Sequence, residues 1–172
     1  MIASAALLLF GAAAVSPTAQ LQPNALPEIF QSACLDGEAR LSPGLVEPVE
    51  FGSLPSELRR PLGFPSSSKV WRLNGPGRAF LYILEYQSQR TTSPRVCGLA
   101  SDQMNYAAAA DSVEMRVTGA VHPRSTQSTE WLNVKAGYDA LATTAGDFKV
   151  LQINWLSESA KRELLKAQPA IP

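Results

Sequence analysis

His122 is the chain's one histidine, and it stands before Pro123 in a polar stretch. Histidine is the side chain best suited to move a proton near neutral pH. As a general base it needs an orienting acid and a nucleophile within reach. The chain contains no G-x-S-x-G elbow to present a serine, and no serine stands apart from the others. The plainer reading is an exposed loop histidine. Arg90 and Arg95 flank a second polar stretch, 87–94, and Arg124 lies beside His122. If the two loops converged, Arg90, Arg95, His122 and Arg124 could hold a carboxylate or a phosphate. They are the candidate ligand contacts, although no glycine-rich phosphate cradle accompanies them.

Other chemistry-bearing residues have structural explanations close at hand. Asp111 and Glu114 lie three apart on an expected helix. Such a pair can do acid–base work, but it also describes a solvated helix face. Asp139 and Asp147 stand at expected turns, where aspartate is favoured for backbone reasons. Trp71, Trp131 and Trp155 could line a ligand cleft; on strands they more often fill a core. Trp155 is expected to be the most buried, because Leu151, Ile153 and Trp155 alternate on one face. No catalytic residue is assigned. With one histidine and two cysteines, a His/Cys metal site lacks ligands, and no metal or cofactor is implied.

Two cysteines, Cys34 and Cys97, are too far apart for a CxxC redox pair. They are either a disulfide or two buried thiols, and the compartment decides. Ile2 to Val15 is an apolar run of 14 residues centred on Leu7-Leu8-Leu9-Phe10. That is short of the roughly 20 residues a spanning helix needs. It has the character of a signal peptide over 1–19, cleaved after Ala14 or Ala19, although no Lys or Arg precedes it. The mature domain would then be 20–172, with no transmembrane span, in the periplasm or secreted. There, a Cys34–Cys97 disulfide is expected.

The 172 residues balance 15 Lys and Arg against 15 Asp and Glu. A neutral chain has no global field to gather a phosphate backbone or anionic lipid, which leaves only local patches, and nucleic acid is not an expected partner. The length is that of one domain with a sizeable core.

The elements must position whatever site exists. Helices are expected over 27–36, 54–60, 102–118 and 157–167. In the first, Leu26, Phe30, Ala33 and Cys34 fall on one face. Ser53 is the expected cap of the second, which Pro61 should end. Ser101 or Asp102 should cap the third, whose stripe is Tyr106, Ala109, Ala110, Val113 and Val117. Strands are expected over 69–73, 79–86, 95–100, 130–136, 140–144 and 148–156. Residues 38–52 read as irregular. Asn74-Gly75-Pro76-Gly77 specifies a type II turn. Strand 79–86 is apolar on both faces and should be central. The result is an α+β single domain with an antiparallel sheet built from two three-stranded meanders.

The apolar leader, Phe30-x-x-x-Cys34 on the first helix, the Trp-led strand pair and the second cysteine in Val96-Cys97 resemble small exported proteins of unassigned function from alphaproteobacteria. The resemblance implies a periplasmic location and a disulfide. It implies no activity and adds no site residue.

The expected function is a non-catalytic binding or accessory domain of the cell envelope, whose partner is an envelope protein or a small ligand. Two alternatives are a small periplasmic hydrolase using His122 and an inhibitor or immunity-type protein.

Overall fold

The computed structural model describes residues 21–37, 42–87, 92–125 and 127–167. Eight strands form one fully antiparallel sheet: β1 (Val46–Val49), β2 (Ser67–Leu73), β3 (Ala79–Glu85), β4 (Arg95–Ser101), β5 (Ala120–Ser125), β6 (Ser128–Asn133), β7 (Tyr138–Ala145) and β8 (Phe148–Trp155). Their spatial order is β1-β2-β3-β4-β8-β7-β6-β5. Two four-stranded meanders therefore meet along their last strands, β4 and β8. Among the described residues four α-helices accompany them: α1 (Leu26–Phe30), which continues as a π-helical turn over Gln31–Leu35, then α2 (Ser56–Leu62), α3 (Tyr106–Glu114) and α4 (Glu158–Ala167). The expected α+β domain with an antiparallel sheet is what the chain forms.

Each expected three-stranded meander gains an edge strand. β1 lies in the stretch read as irregular, and β5 in the stretch read as the loop of His122. Both contain a proline, Pro48 and Pro123. A proline cannot donate to a ladder on both sides, so within sheets it is confined to edges. The residues that disguised these strands are those that suit them to the two edges. β5 also carries a register shift between Pro123 and Ser125. Proline and irregularity together blunt both edges against pairing with another chain.

Helix ends differ from expectation for local reasons. α2 has Pro55 rather than Ser53 at its N-cap, and it runs through Pro61 to end at Gly63, φ +66°. Pro61 lies within two residues of that end, and continuing past it lets Leu62 reach the core. α3 is capped by Asn105, whose Oδ1 accepts the Ala108 N–H at 3.1 Å. Asp102 instead accepts from the Arg78 backbone N–H and Nε, and Ser101 is a buried part of β4.

The two faces of the sheet are covered unequally. On the first, α1 and α3 pack Phe30, Val113 and their neighbours against Leu81, Cys97, Leu99 and Leu151. Cys34 and Cys97 are joined by a disulfide, Cα–Cα 5.5 Å, which ties the π-helical turn to the middle of the sheet. On the second face, Leu58 and Leu62 of α2, with Leu54 just before it, pack against Val70, Phe80, Leu84 and Val150. β3 thus has both faces in a core, as its composition predicts. Among the described residues, no helix is long and apolar enough to cross a membrane.

Candidate functional site

The second face changes character at Gln152. Along β8, Phe148 and Val150 lie under α2, but the next two residues with the same parity are Gln152 and Asn154. The adjoining part of β7 presents Asp139, Leu141 and Thr143, all half-buried. α2, the helix of the second core, ends its apolar packing at this boundary.

A directed row of hydrogen bonds crosses the boundary. Tyr82 Oη donates to Gln152 Oε1 at 2.8 Å. Gln152 Nε2 donates to Asn154 Oδ1 at 2.7 Å, and Asn154 Nδ2 donates to Asp139 Oδ2 at 3.2 Å. Each donor points toward the carboxylate, so the dipoles align along the row. Burial pushes the Tyr82 phenol well above the ordinary tyrosine range, with the neighbouring Tyr86 adding to the shift. Tyr82 is thus held as a neutral donor.

Gly98 makes the row possible. Tyr82, Gly98 and Gln152 are successive partners across β3, β4 and β8. A Cβ at Gly98 would stand 2.3 Å from both Cζ and Oη of Tyr82. The phenol ring therefore lies across the bare backbone of β4 to reach β8. Beside it opens a notch of about 100 Å³, walled by Leu58, Pro61 and Leu62 of α2 and floored by Tyr82, Leu141 and Gln152. Its volume suits one small apolar side chain. An engineered apolar cavity of ~150 Å³ holds a benzene ring.

The candidate ligand contacts do not meet at this notch. Arg90 lies outside the described residues. Arg95 begins β4, where its guanidinium stacks 4.9 Å from the Trp155 ring centroid. The backbone of His122 and Arg124 belongs to β5, with His122 opposite Glu130 in register. β8, β7 and β6 stand between β4 and β5, a backbone separation of about 19 Å at ~4.8 Å per strand. The same transverse row links Tyr82, Gly98, Gln152, Leu141, Glu130 and position 122.

Other candidates are placed plainly. Asp111 and Glu114 are exposed on α3. Trp131, not Trp155, is the buried tryptophan, at 1% exposure. Trp155 ends its strand at the rim of the core, half-buried beneath Arg95. Trp71 and Trp131 sit on β2 and β6, with four strands between them, so they line no common cleft. Asp147, at the β7–β8 turn, lies 3.6 Å from Arg78, which also pairs with Asp102 at 3.0 Å. Burial pushes the Asp102 carboxyl up, but hydrogen bonds from Arg78 and Gln103 outweigh it and hold the group below its ordinary value. Among the described residues, no group of three His, Cys, Asp or Glu side chains could hold a metal ion.

The sequence signal for the notch is the switch from Val150 to Gln152 and Asn154 on one parity of β8. Compared with known proteins, the chain matches no family model, no curated protein and no solved structure.

Proposed function

We propose that the protein is an exported, non-catalytic binding domain of the cell envelope, periplasmic or secreted, and that it recognises a polypeptide partner through the notch beside α2. One observation carries the reading: the second face is half core and half hydrogen-bonded polar row, with an open notch at the seam. An apolar side chain of the partner fills the notch, and the neighbouring backbone meets the amides of Gln152 and Asn154. Interface anchors are commonly a few apolar side chains in such desolvated pockets. Each amide of the row spends its oxygen and one N–H within the row, which leaves the second N–H for the partner. That suits a rigid recognition floor better than a proton relay. The Cys34–Cys97 disulfide supports the assignment to an oxidising compartment.

A photoreactive amino acid at Thr143 tests the binding surface in the producing cell. Cross-linking to one defined polypeptide is expected from Thr143, and not from Glu114 on the opposite face. It should disappear when Leu141→Lys places a charge on the notch floor. Equal cross-linking in both backgrounds refutes the notch. N-terminal sequencing of the mature chain checks export. A start after Ala14 or Ala19 supports it, and a start at Met1 or Ile2 refutes it.

A further inference from the structure

Phe64 is 98% exposed, although phenylalanine is among the residues most often buried. The segment that carries it is held at several points. Gly63, at φ +66°, donates its N–H to the Arg59 and Arg60 carbonyls at 3.2 and 3.4 Å. Tyr86 Oη donates to the Leu62 carbonyl at 2.6 Å. Ser66 donates to the Glu85 carbonyl through its N–H at 2.8 Å and its hydroxyl at 2.9 Å. Pro65 fixes its own φ between these anchors. The phenyl ring is thus mounted on a braced tip and packs into neither core.

Beside the ring lies an open groove of about 560 Å³, lined by Phe51, Gly52, Arg59, Arg60 and Gly63. Arg59 Nη1 donates to the Gly52 carbonyl at 2.7 Å, which aims the guanidinium along the groove. Neither Arg59 nor Arg60 forms an ion pair among the described residues. The acid of the same helix, Glu57, packs toward the Gly146 turn instead. One end of the molecule therefore presents a projecting aromatic ring flanked by two cations held in no ion pair, with Glu57 attracting Arg60 only at a distance.

The complement of that arrangement is a layer of phosphates over hydrocarbon. A protein partner would need an apolar pocket rimmed by acids in one matching place, whereas an anionic bilayer offers both everywhere on its surface. We infer that the Phe64 tip docks the protein on an anionic phospholipid surface, the ring entering the interface and Arg59 and Arg60 meeting lipid phosphates. Binding adds apolar burial to electrostatic attraction, the two terms that govern interfacial association. The inference does not depend on the notch.

Partition of the full chain into vesicles tests it. Vesicles of phosphatidylcholine with one quarter phosphatidylglycerol are compared with phosphatidylcholine alone. Binding is expected to the anionic vesicles and to weaken at 0.5 M salt, roughly where the Debye length falls to a few ångströms. Arg59→Gln and Arg60→Gln should each lower the partition coefficient about fivefold, the effect of one basic residue near a charged membrane surface. Phe64→Ser should lower it on both vesicle types. Phe64→Trp should become quenched by brominated lipid beyond the level of the native tryptophans. The N-terminal apolar run is common to every variant, so differences among them report on the tip. Equal partition of wild type and the double arginine variant overturns the inference. So does a dimer in sedimentation that Phe64→Ser abolishes while vesicle binding stays unchanged, which assigns the tip to a second copy of the chain.

Discussion

Gly98→Ala is the sharpest perturbation of the second face. A methyl at this position stands 2.3 Å from two atoms of Tyr82, where ordinary contact begins near 3.4 Å. The ring must retreat by more than 1 Å, yet Tyr82 is only 1% exposed and has little room. Overpacking of this kind costs about 1–3 kcal/mol. Displacing Oη also breaks the 2.8 Å bond to Gln152, for about 1 kcal/mol more. The expected destabilisation is therefore about 2–4 kcal/mol, read from urea unfolding with an unchanged m-value. Tyr82→Leu vacates the space above the glycine and loses the hydrogen bond by itself. In that background Gly98→Ala should cost close to nothing, and could gain up to ~0.5 kcal/mol from the stiffer strand. The double-mutant cycle should thus give a coupling of about 2 kcal/mol or more, in the range seen for residues in contact. If Gly98→Ala costs the same in both backgrounds, the ring does not lie across Gly98 and the explanation of the row fails.

Two further outcomes are expected. Reduction of Cys34–Cys97 opens a loop with a sequence separation of 63 residues, worth about 4 kcal/mol in the chain-entropy model. The melting temperature should fall by roughly 8–16 °C in reductant; two titratable thiols in the unreduced, denatured protein would refute the bridge. Asp102 has a folded pKa below its ordinary 3.8, so the stability it contributes is present above about pH 4 and is lost as the pH falls through the lower folded value. The wild-type advantage over Asp102→Asn in urea midpoint should hold from pH 7 to about pH 4 and shrink below it. A gap that persists at pH 2 would show that the Arg78 contacts do not act through the carboxylate charge.

The sequence made the interior legible and the margins not. Six strands announce themselves by apolar runs, and three of the turns between them carry glycine. Gly146-Asp147 joins Ala145 to Phe148 with the positive φ of +60° on the glycine alone, the pattern of a type II′ turn. Gly77, at φ +77°, fits the expected turn between β2 and β3. The stripe on α3 and the inward Cys34 follow from helical spacing. β1 and β5 escaped because they are edges, where apolar periodicity is weak and proline is tolerated. Trp155 misled because alternation reports a face and not how far along the strand the covering helices extend. The row from Tyr82 to Asp139 was hardest to see. It needs the register of β3, β4, β8 and β7 at once, and β4 and β8 are brought together only by tertiary pairing. Gln152 and Asn154 were nonetheless readable as the point where the parity face of Val150 ceases to be apolar.

The meeting of the two meanders along their final strands has a consequence for biosynthesis. β4 pairs with β3 as soon as the first meander has emerged, but its other partner, β8, is made only after β5, β6 and β7. Until then β4 is an open edge with Val96, Cys97, Leu99 and Ala100 along it. A nascent chain stalled before Phe148 would expose that edge to any other β-prone chain. The sheet closes only once β8 has been made, so this domain cannot complete its fold while β5 to β8 are still emerging.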